Sequence, residues 1–240
     1  MSHPAIILPE EFELVQAEIL RRKSLGKQYN SKSIFAARIV CGDCGNFYGS
    51  KVWHSTTKYR RVIWRCNQKF NGVCKCSTPH LYEDAIKEKF LSACNQLFEN
   101  RVEILENCQM MQNLLTDCTE IDEKQQAVLQ EMEVVSELTR KYITENSRTA
   151  QNQDEYNAHY NGLVERYEKL KKKSLLLQKQ KEERLAKRDL IGGFILEFSK
   201  CKEMLTEFDE QLWIAAIDKV TVFQDGRLVF SFNDGTEIEL

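Results

Sequence analysis

A chain of 240 residues with three prolines and ten glycines, its middle dominated by Glu, Lys, Gln and Leu, fits one small globular unit with a long helical extension better than two ordinary domains. The formal net charge of −2 conceals a split: residues 1–80 hold 13 Lys/Arg against 5 Asp/Glu, a net of +8, and residues 81–240 hold 21 against 31, a net of −10. A basic head on an acidic body points to a polyanionic partner for the head and ordinary solvation for the rest.

Pro9 with Glu10 and Glu11 reads as a helix start, and Phe12, Val15 and Ile19 give it one apolar face as far as about Lys23. The stretch Arg21 to Asn30 is basic and irregular, either a solvated linker or an arm that tracks a nucleic-acid backbone. A strand is expected over Ile34 to Val40. Phe47 to Trp53 and Tyr59 to Arg65 read as a hairpin with polar residues 54–58 at its turn.

From Phe90 to Tyr142, apolar or small residues recur at steps of four and three, a 3.5-residue period that predicts a left-handed coil. Asn107 or Asn113 could mark a joint in it. The pattern lapses at Thr144 to Asp154, resumes at Tyr156, loosens at Gly192-Gly193 and continues to Leu205. Two arms of similar length with a loop between them predict an antiparallel helical hairpin. The end of the chain reads as a short helix from Phe208 with Trp213, Ala216 and Ile217 facing inward. Three short strands follow, around Val220–Val222, Leu228–Phe232 and Ile238–Leu240, with Asp225-Gly226 and Asp234-Gly235 as turns. The expected fold is therefore α+β: a zinc ribbon, a small C-terminal β-meander and a long antiparallel coiled-coil hairpin. The expected parts are 1–33, an N-terminal helix and basic linker; 34–89, the ribbon; 90–205, the coiled-coil arm with its tip near 143–155; and 206–240, the helix and meander packed back on the base.

The chemistry lies in cysteine spacing. Cys41-Gly42-Asp43-Cys44-Gly45 is a two-residue knuckle, and a second pair about twenty residues later closes a four-sulfur tetrahedron suited to structural Zn2+. Cys66 is the third ligand. Cys74, Cys76 and His80 all lie near the fourth position, and Cys76 is chosen because Thr78-Pro79-His80 follows it at a fixed exit point. Four sulfurs leave no coordination position for water, so the metal is structural. A thiol-redox pair at Cys41 and Cys44 is the rival reading, but it calls for an α/β setting that this segment lacks. Cys94, Cys108, Cys118 and Cys201 fall at apolar helical positions and suit a reducing, cytoplasmic compartment.

Cations alternate with aromatics along the ribbon. Arg38, Lys51, His54, Lys58, Arg60, Arg61, Arg65 and Lys69 are the candidate nucleic-acid contacts, to DNA or RNA, with Trp53, Tyr59 and Trp64 between them. No nucleophile constellation, phosphate-cradling glycine loop or paired acids in a pocket-forming context occurs, so neither catalysis by this chain nor a small-molecule substrate is expected. No apolar run reaches bilayer-spanning length, and no membrane partner is expected.

The segments His3 to Ile7, Pro9 to Phe12, Cys41 to Gly45, Trp64-Arg65-Cys66-Asn67 and Cys76-Ser77-Thr78-Pro79-His80-Leu81 resemble the C-terminal region of large serine recombinases, the integrases and transposases of phages and mobile elements. Tyr156-Asn157 through Glu168 and the closing strands resemble the same family. The resemblance implies that the ribbon grips an attachment site in double-stranded DNA and that a coiled-coil arm touches other recombinase subunits to govern synapsis. Tyr142 and Tyr156 are the candidate contact at the arm's tip. It also implies that strand cleavage belongs to a catalytic serine domain of a longer parent, a site-specific recombinase. The alternative is a zinc-clipped coiled-coil protein-interaction scaffold without DNA specificity.

Overall fold

The computed structural model describes residues 7, 9–24, 33–70, 76–148 and 152–240. They form two compact units, one from Met1–Asn113 with Lys187–Leu240 and the other from Leu114–Ala186. The basic stretch 25–32, Cys74 and part of the expected tip lie outside the described residues.

In the first unit, helix α1 (Pro9–Ser24) starts at the expected proline and ends on Arg21, Arg22 and Lys23, cations at the negative end of the dipole. Its expected apolar face is not buried: Phe12 and Val15 are more than half exposed. Charge holds this helix instead. Glu18 accepts from Arg21, Arg22 and Arg38, the last at 2.9 Å, and Arg38 also donates to the Ile214 carbonyl at 2.9 Å. Burial opposes ionisation of Glu18, but the Arg21 hydrogen bond and the charge of Arg38 hold it down to about 2. Burial lowers Arg38 to about 10, which leaves it charged at neutral pH.

The strand expected from Ile34 shortens to β1 (Ile39–Cys41), because Ala37 sits in the left-handed region at φ 59° and residues 33–38 turn. That turn drives Phe35 into an aromatic core with Trp64, Phe208 and Trp213, and Phe90 packs on the last two. Trp213 Nε1 donates to the Ile34 carbonyl at 3.1 Å, which pairs its buried N–H. Helix α6 (Glu210–Ala216) carries Trp213 inward and is capped by Asp209, which accepts from Leu212 N. Strands β5 (Ile217–Val222), β6 (Leu228–Phe232) and β7 (Glu237–Glu239) follow in antiparallel succession, turning at Gly226 (φ 91°) and Gly235 (φ 93°). β1 joins this sheet parallel to β5, a pairing across the whole chain that periodicity alone did not predict.

The ribbon is a second sheet of β2 (Tyr48–Trp53), β3 (Arg61–Cys66) and the short β4 (Leu81–Tyr82). β4 leads into α2 (Glu83–Phe98), so the segment after Cys76 enters a strand before the helix. The first long arm is interrupted twice, into α2, α3 (Arg101–Thr116) and α4 (Thr119–Asn146), and neither joint is at Asn107 or Asn113. At the second joint Cys118 is the N-cap of α4, and just before it Asp117 accepts from the backbone N and the hydroxyl of Thr119, a local turn bond that competes with helix. The second arm, α5 (Gln153–Lys200), runs unbroken through Gly192-Gly193. Gly192 is not a hinge: it stays helical, and the end of the Gln112 side chain from α3 lies over it, with Nε2 2.6 Å from where a Cβ would sit.

In the second unit α4 and α5 run antiparallel. Val128 and Val135 of α4 and Leu163, Leu170 and Leu177 of α5, spaced by sevens, form its buried core. Each such side chain contributes about 1.5–3 kcal/mol by leaving water. Gln125–Ser174, Glu131–Arg166 and Asp122–Lys181 contacts fix the register. No helix among the described residues is long and apolar enough to cross a membrane.

Glu18→Gln is expected to cost about 3 kcal/mol at neutral pH, because it leaves the buried Arg38 without its counter-charge. The folded pKa of Glu18 lies below its ordinary 4.5, so its contribution is complete above pH 4.5 and is lost as pH falls towards about 2. Urea unfolding at neutral and acid pH checks this: the variant should lack that part of the acid loss.

Candidate metal centre and basic face

Cys41 ends β1, and its knuckle closes through Gly45 N to Cys41 O at 2.8 Å and Cys41 N to Asn46 O at 2.9 Å. Gly45 takes φ 69°, and Gly42 lies so near β5 that a Cβ would meet Val222 O at 2.9 Å. Gly42 N donates to that same carbonyl at 2.8 Å, which ties the knuckle to the C-terminal sheet. Cys66 ends β3, where Gln68 N points at its sulfur at 3.4 Å. Cys76 arrives from the segment before β4.

The four Sγ atoms of Cys41, Cys44, Cys66 and Cys76 lie within 4.8 Å of one another, with Cys44–Cys66 at 3.5 Å and Cys66–Cys76 at 3.8 Å. A zinc ion with Zn–S bonds of about 2.3 Å sets tetrahedral edges of about 3.8 Å. An all-sulfur donor set of that size fits structural zinc. Burial works against ionisation of Cys44, yet hydrogen bonds from Asn46 and the neighbouring thiols bring it down to about 7. Burial pushes Cys66 up to about 11, and Cys76 is raised first by its hydrogen bond with Cys44. Crowded thiols resist sharing negative charge, and a divalent cation in their midst removes that resistance.

Two side chains beside the sulfurs were not among the residues expected at the site. Asp43 accepts from Ser77 N, Ser77 Oγ and Thr78 N, and the Ser77 bonds hold its carboxyl below the ordinary range. Thr78, fully buried, places Oγ1 3.2 Å from Cys41 Sγ. The signal was present in the sequence: an aspartate inside the knuckle and Ser-Thr directly after Cys76, residue types that bond to nearby backbone. His80, a rival for the fourth ligand position, instead packs against Trp53, with ring centres 4.6 Å apart and the planes tilted by 51°.

The cross-strand pairs Gly49–Arg65, Lys51–Ile63, Trp53–Arg61 and Ile63–Tyr82 place Lys51, Trp53, Arg61, Arg65 and Tyr82 on one face of the ribbon. Trp64 belongs to the opposite face and packs in the core. His80 bridges Trp53 and Tyr82, the guanidinium of Arg61 lies 5.1 Å from the Tyr82 ring centre, and that of Arg65 lies 4.4 Å from Phe70. Burial and the charges of Lys69, Arg61 and Arg65 lower the His80 pKa, which locates all three cations near this ring.

The other candidate contacts divide. His54, in the left-handed region at φ 53°, and Lys58 and Arg60 are exposed at the hairpin end. Lys69 is half-buried and donates to Thr78 O at 2.5 Å. Arg38 departs from expectation: it is 1% exposed and spent on Glu18 and Ile214, because the turn at Ala37 points it inward. Tyr142 and Tyr156, the candidate subunit contacts, stack on each other at 5.2 Å and 5°.

Chelation of the metal is expected to abolish the ordered surroundings of Trp53 and Trp64, read as near-UV circular dichroism, while most of the helical signal survives in α4 and α5. Structural zinc of this kind contributes about 10–16 kcal/mol, more than the polar ribbon can replace. Cys66→Ser should behave as the chelated wild type.

The family model of the recombinase zinc beta ribbon domain matches residues 34–95. A solved chain described as "Crystal Structure of a LSR-DNA Complex" is similar over 96% of this chain and 65% of its own length, at 17% identity and a TM-score of 0.33. The search of curated proteins found no match. The resemblance to the C-terminal zinc-ribbon region of a serine recombinase, drawn first from the cysteine knuckles and the Thr-Pro-His that follows them, is thereby borne out.

Proposed function

We propose that this chain is the DNA-recognition and subunit-contact module of a large serine site-specific recombinase. One observation supports the DNA reading above the rest: a rigid, metal-closed sheet bearing Lys51, Arg61 and Arg65 on one face around the rings of Trp53, His80 and Tyr82. Cations on a rigid support neutralise phosphates at low entropic cost, and a two-stranded ribbon is narrow enough for the major groove. Exposed His54, Lys58 and Arg60 extend the same charge to the hairpin end. The ligand is duplex DNA, an attachment half-site, bound through phosphates first and base edges second.

The heptad-spaced core of α4 and α5 supports a coiled-coil arm in this reading, with other recombinase subunits as its partners. Tyr142 and Tyr156 brace the tip against each other and present their remaining surface to those subunits. Strand cleavage is assigned to a catalytic domain of the longer parent. The free state of every described cysteine suits a reducing cytoplasm.

Replacing Arg60, Arg61 and Arg65 together by alanine is expected to weaken duplex binding. The plot of log K against log salt should become shallower by about 2–3, at about 0.9 for each phosphate that is no longer neutralised. Far-UV circular dichroism and zinc content should stay as in the wild type. A salt slope that does not change would favour the scaffold reading, as would a zinc-loaded chain that binds half-sites no better than random duplex.

A further inference from the structure

Three of the four sulfurs are placed by backbone structure. Cys41 ends β1, Cys66 ends β3, and Cys44 closes a knuckle braced by its own backbone hydrogen bonds. Cys76 has no such support: residues 76–80 lie in neither helix nor strand, and the next ladder begins at Leu81. The fourth ligand is held by side chains reaching across from the first knuckle and from β2. Tyr48 Oη donates to Pro79 O at 2.8 Å. Asp43 Oδ2 accepts from Ser77 N at 2.7 Å, Ser77 Oγ at 2.8 Å and Thr78 N at 3.3 Å.

Asp43 is also the sole acidic residue between Glu18 and Glu83. A carboxylate there works against a polyanion partner, so its presence needs another explanation. Its three donors supply one: two backbone amides and a hydroxyl converge on one charged oxygen, the strong form of hydrogen bond. The same clip seats Thr78, whose hydroxyl can donate to the Cys41 sulfur at 3.2 Å. A donor to a ligating thiolate disperses its charge and orients it, as the outer partners of a metal site do. Lys69 Nζ holds the Thr78 carbonyl from the far side.

We propose that Asp43, acting through Ser77 and Thr78, is a positioning residue of the metal centre: it locks the Cys76 ligand arm to the first knuckle and sets how tightly zinc is retained. The inference rests on the metal reading of the four sulfurs, and its test does not involve DNA binding. The test uses the zinc-loaded full chain and follows transfer of zinc to a chromophoric chelator. Asp43→Ala is expected to weaken zinc retention by about 10–100-fold. Asp43→Asn, which keeps an acceptor oxygen, should fall between it and the wild type. Thr78→Val should release zinc faster, and Thr78→Ser, which keeps the hydroxyl, should restore retention. Cobalt-substituted D43A at saturating metal should still show a four-thiolate spectrum, because no ligand is lost.

A control separates positioning from general weakening. Asn95→Ala removes the amide clip from α2 to Leu205 in the same unit and should lower thermal stability without hastening zinc transfer. Wild-type retention in D43A would overturn the proposal, and so would N95A releasing zinc as fast as D43A. If D43A does not fold, D43N and T78V take its place in the same comparison, and wild-type retention in both would overturn the proposal. A wild-type chain purified without zinc and unable to bind it would overturn the metal reading, and this inference with it.

Discussion

Four sulfur atoms drawn within 4.8 Å of one another are the constraint on which the rest of the first unit depends. The ribbon between them is polar and basic, and thiols crowded at that distance resist ionising together. A soft divalent ion would reconcile the two needs by accepting the sulfurs' charge and pinning strands whose buried apolar side chains are few, chiefly Tyr48, Ile63 and Trp64. The knuckle then passes this rigidity on. Cys41 is a residue of β1, β1 pairs with β5, and Gly42 bonds to Val222 O, so the four-cysteine site is tied directly into the C-terminal sheet.

Charge is used differently in different places. On the ribbon face, Lys51 and Arg61 are exposed to solvent, and Arg65 is half-buried with its guanidinium over the Phe70 ring. Inside the unit, Arg38 is desolvated and committed to Glu18, which also gathers Arg21 and Arg22. The Arg38 guanidinium is an anchor for α1, whereas Arg61 stands exposed, although both are arginines in a basic head. Burial decides between these roles.

The helices show the same division between local and distant causes. The seven-residue spacing of Val128, Val135, Leu163, Leu170 and Leu177 reflects a narrow seam on α4 and α5. The break before Thr119 is local chemistry, since the Asp117 side chain bonds to Thr119 two residues on and competes with continuation of the old helix. Gly192 has a distant neighbour: the end of the Gln112 side chain lies over it, with no loss of helix.

The four ligands were legible because metal chemistry restricts both residue type and spacing, and the C-terminal strands were legible because Asp-Gly turns and alternation act over a few residues. The hairpin's cations were legible as a group. Their sorting was not, since whether Arg38 points inward turns on the positive φ of Ala37 and on an acid twenty positions earlier. The face shared by Trp53, His80 and Tyr82 required the β2–β3–β4 register, which no single strand's pattern contains. The parallel β1–β5 pairing and the Asp43 clip likewise join residues far apart in the chain. Sequence by itself determined what each short segment prefers and which atoms can bind a metal. Only the tertiary structure decided which charges are buried and which rings and cations meet, because those depend on partners brought together by closure of the fold.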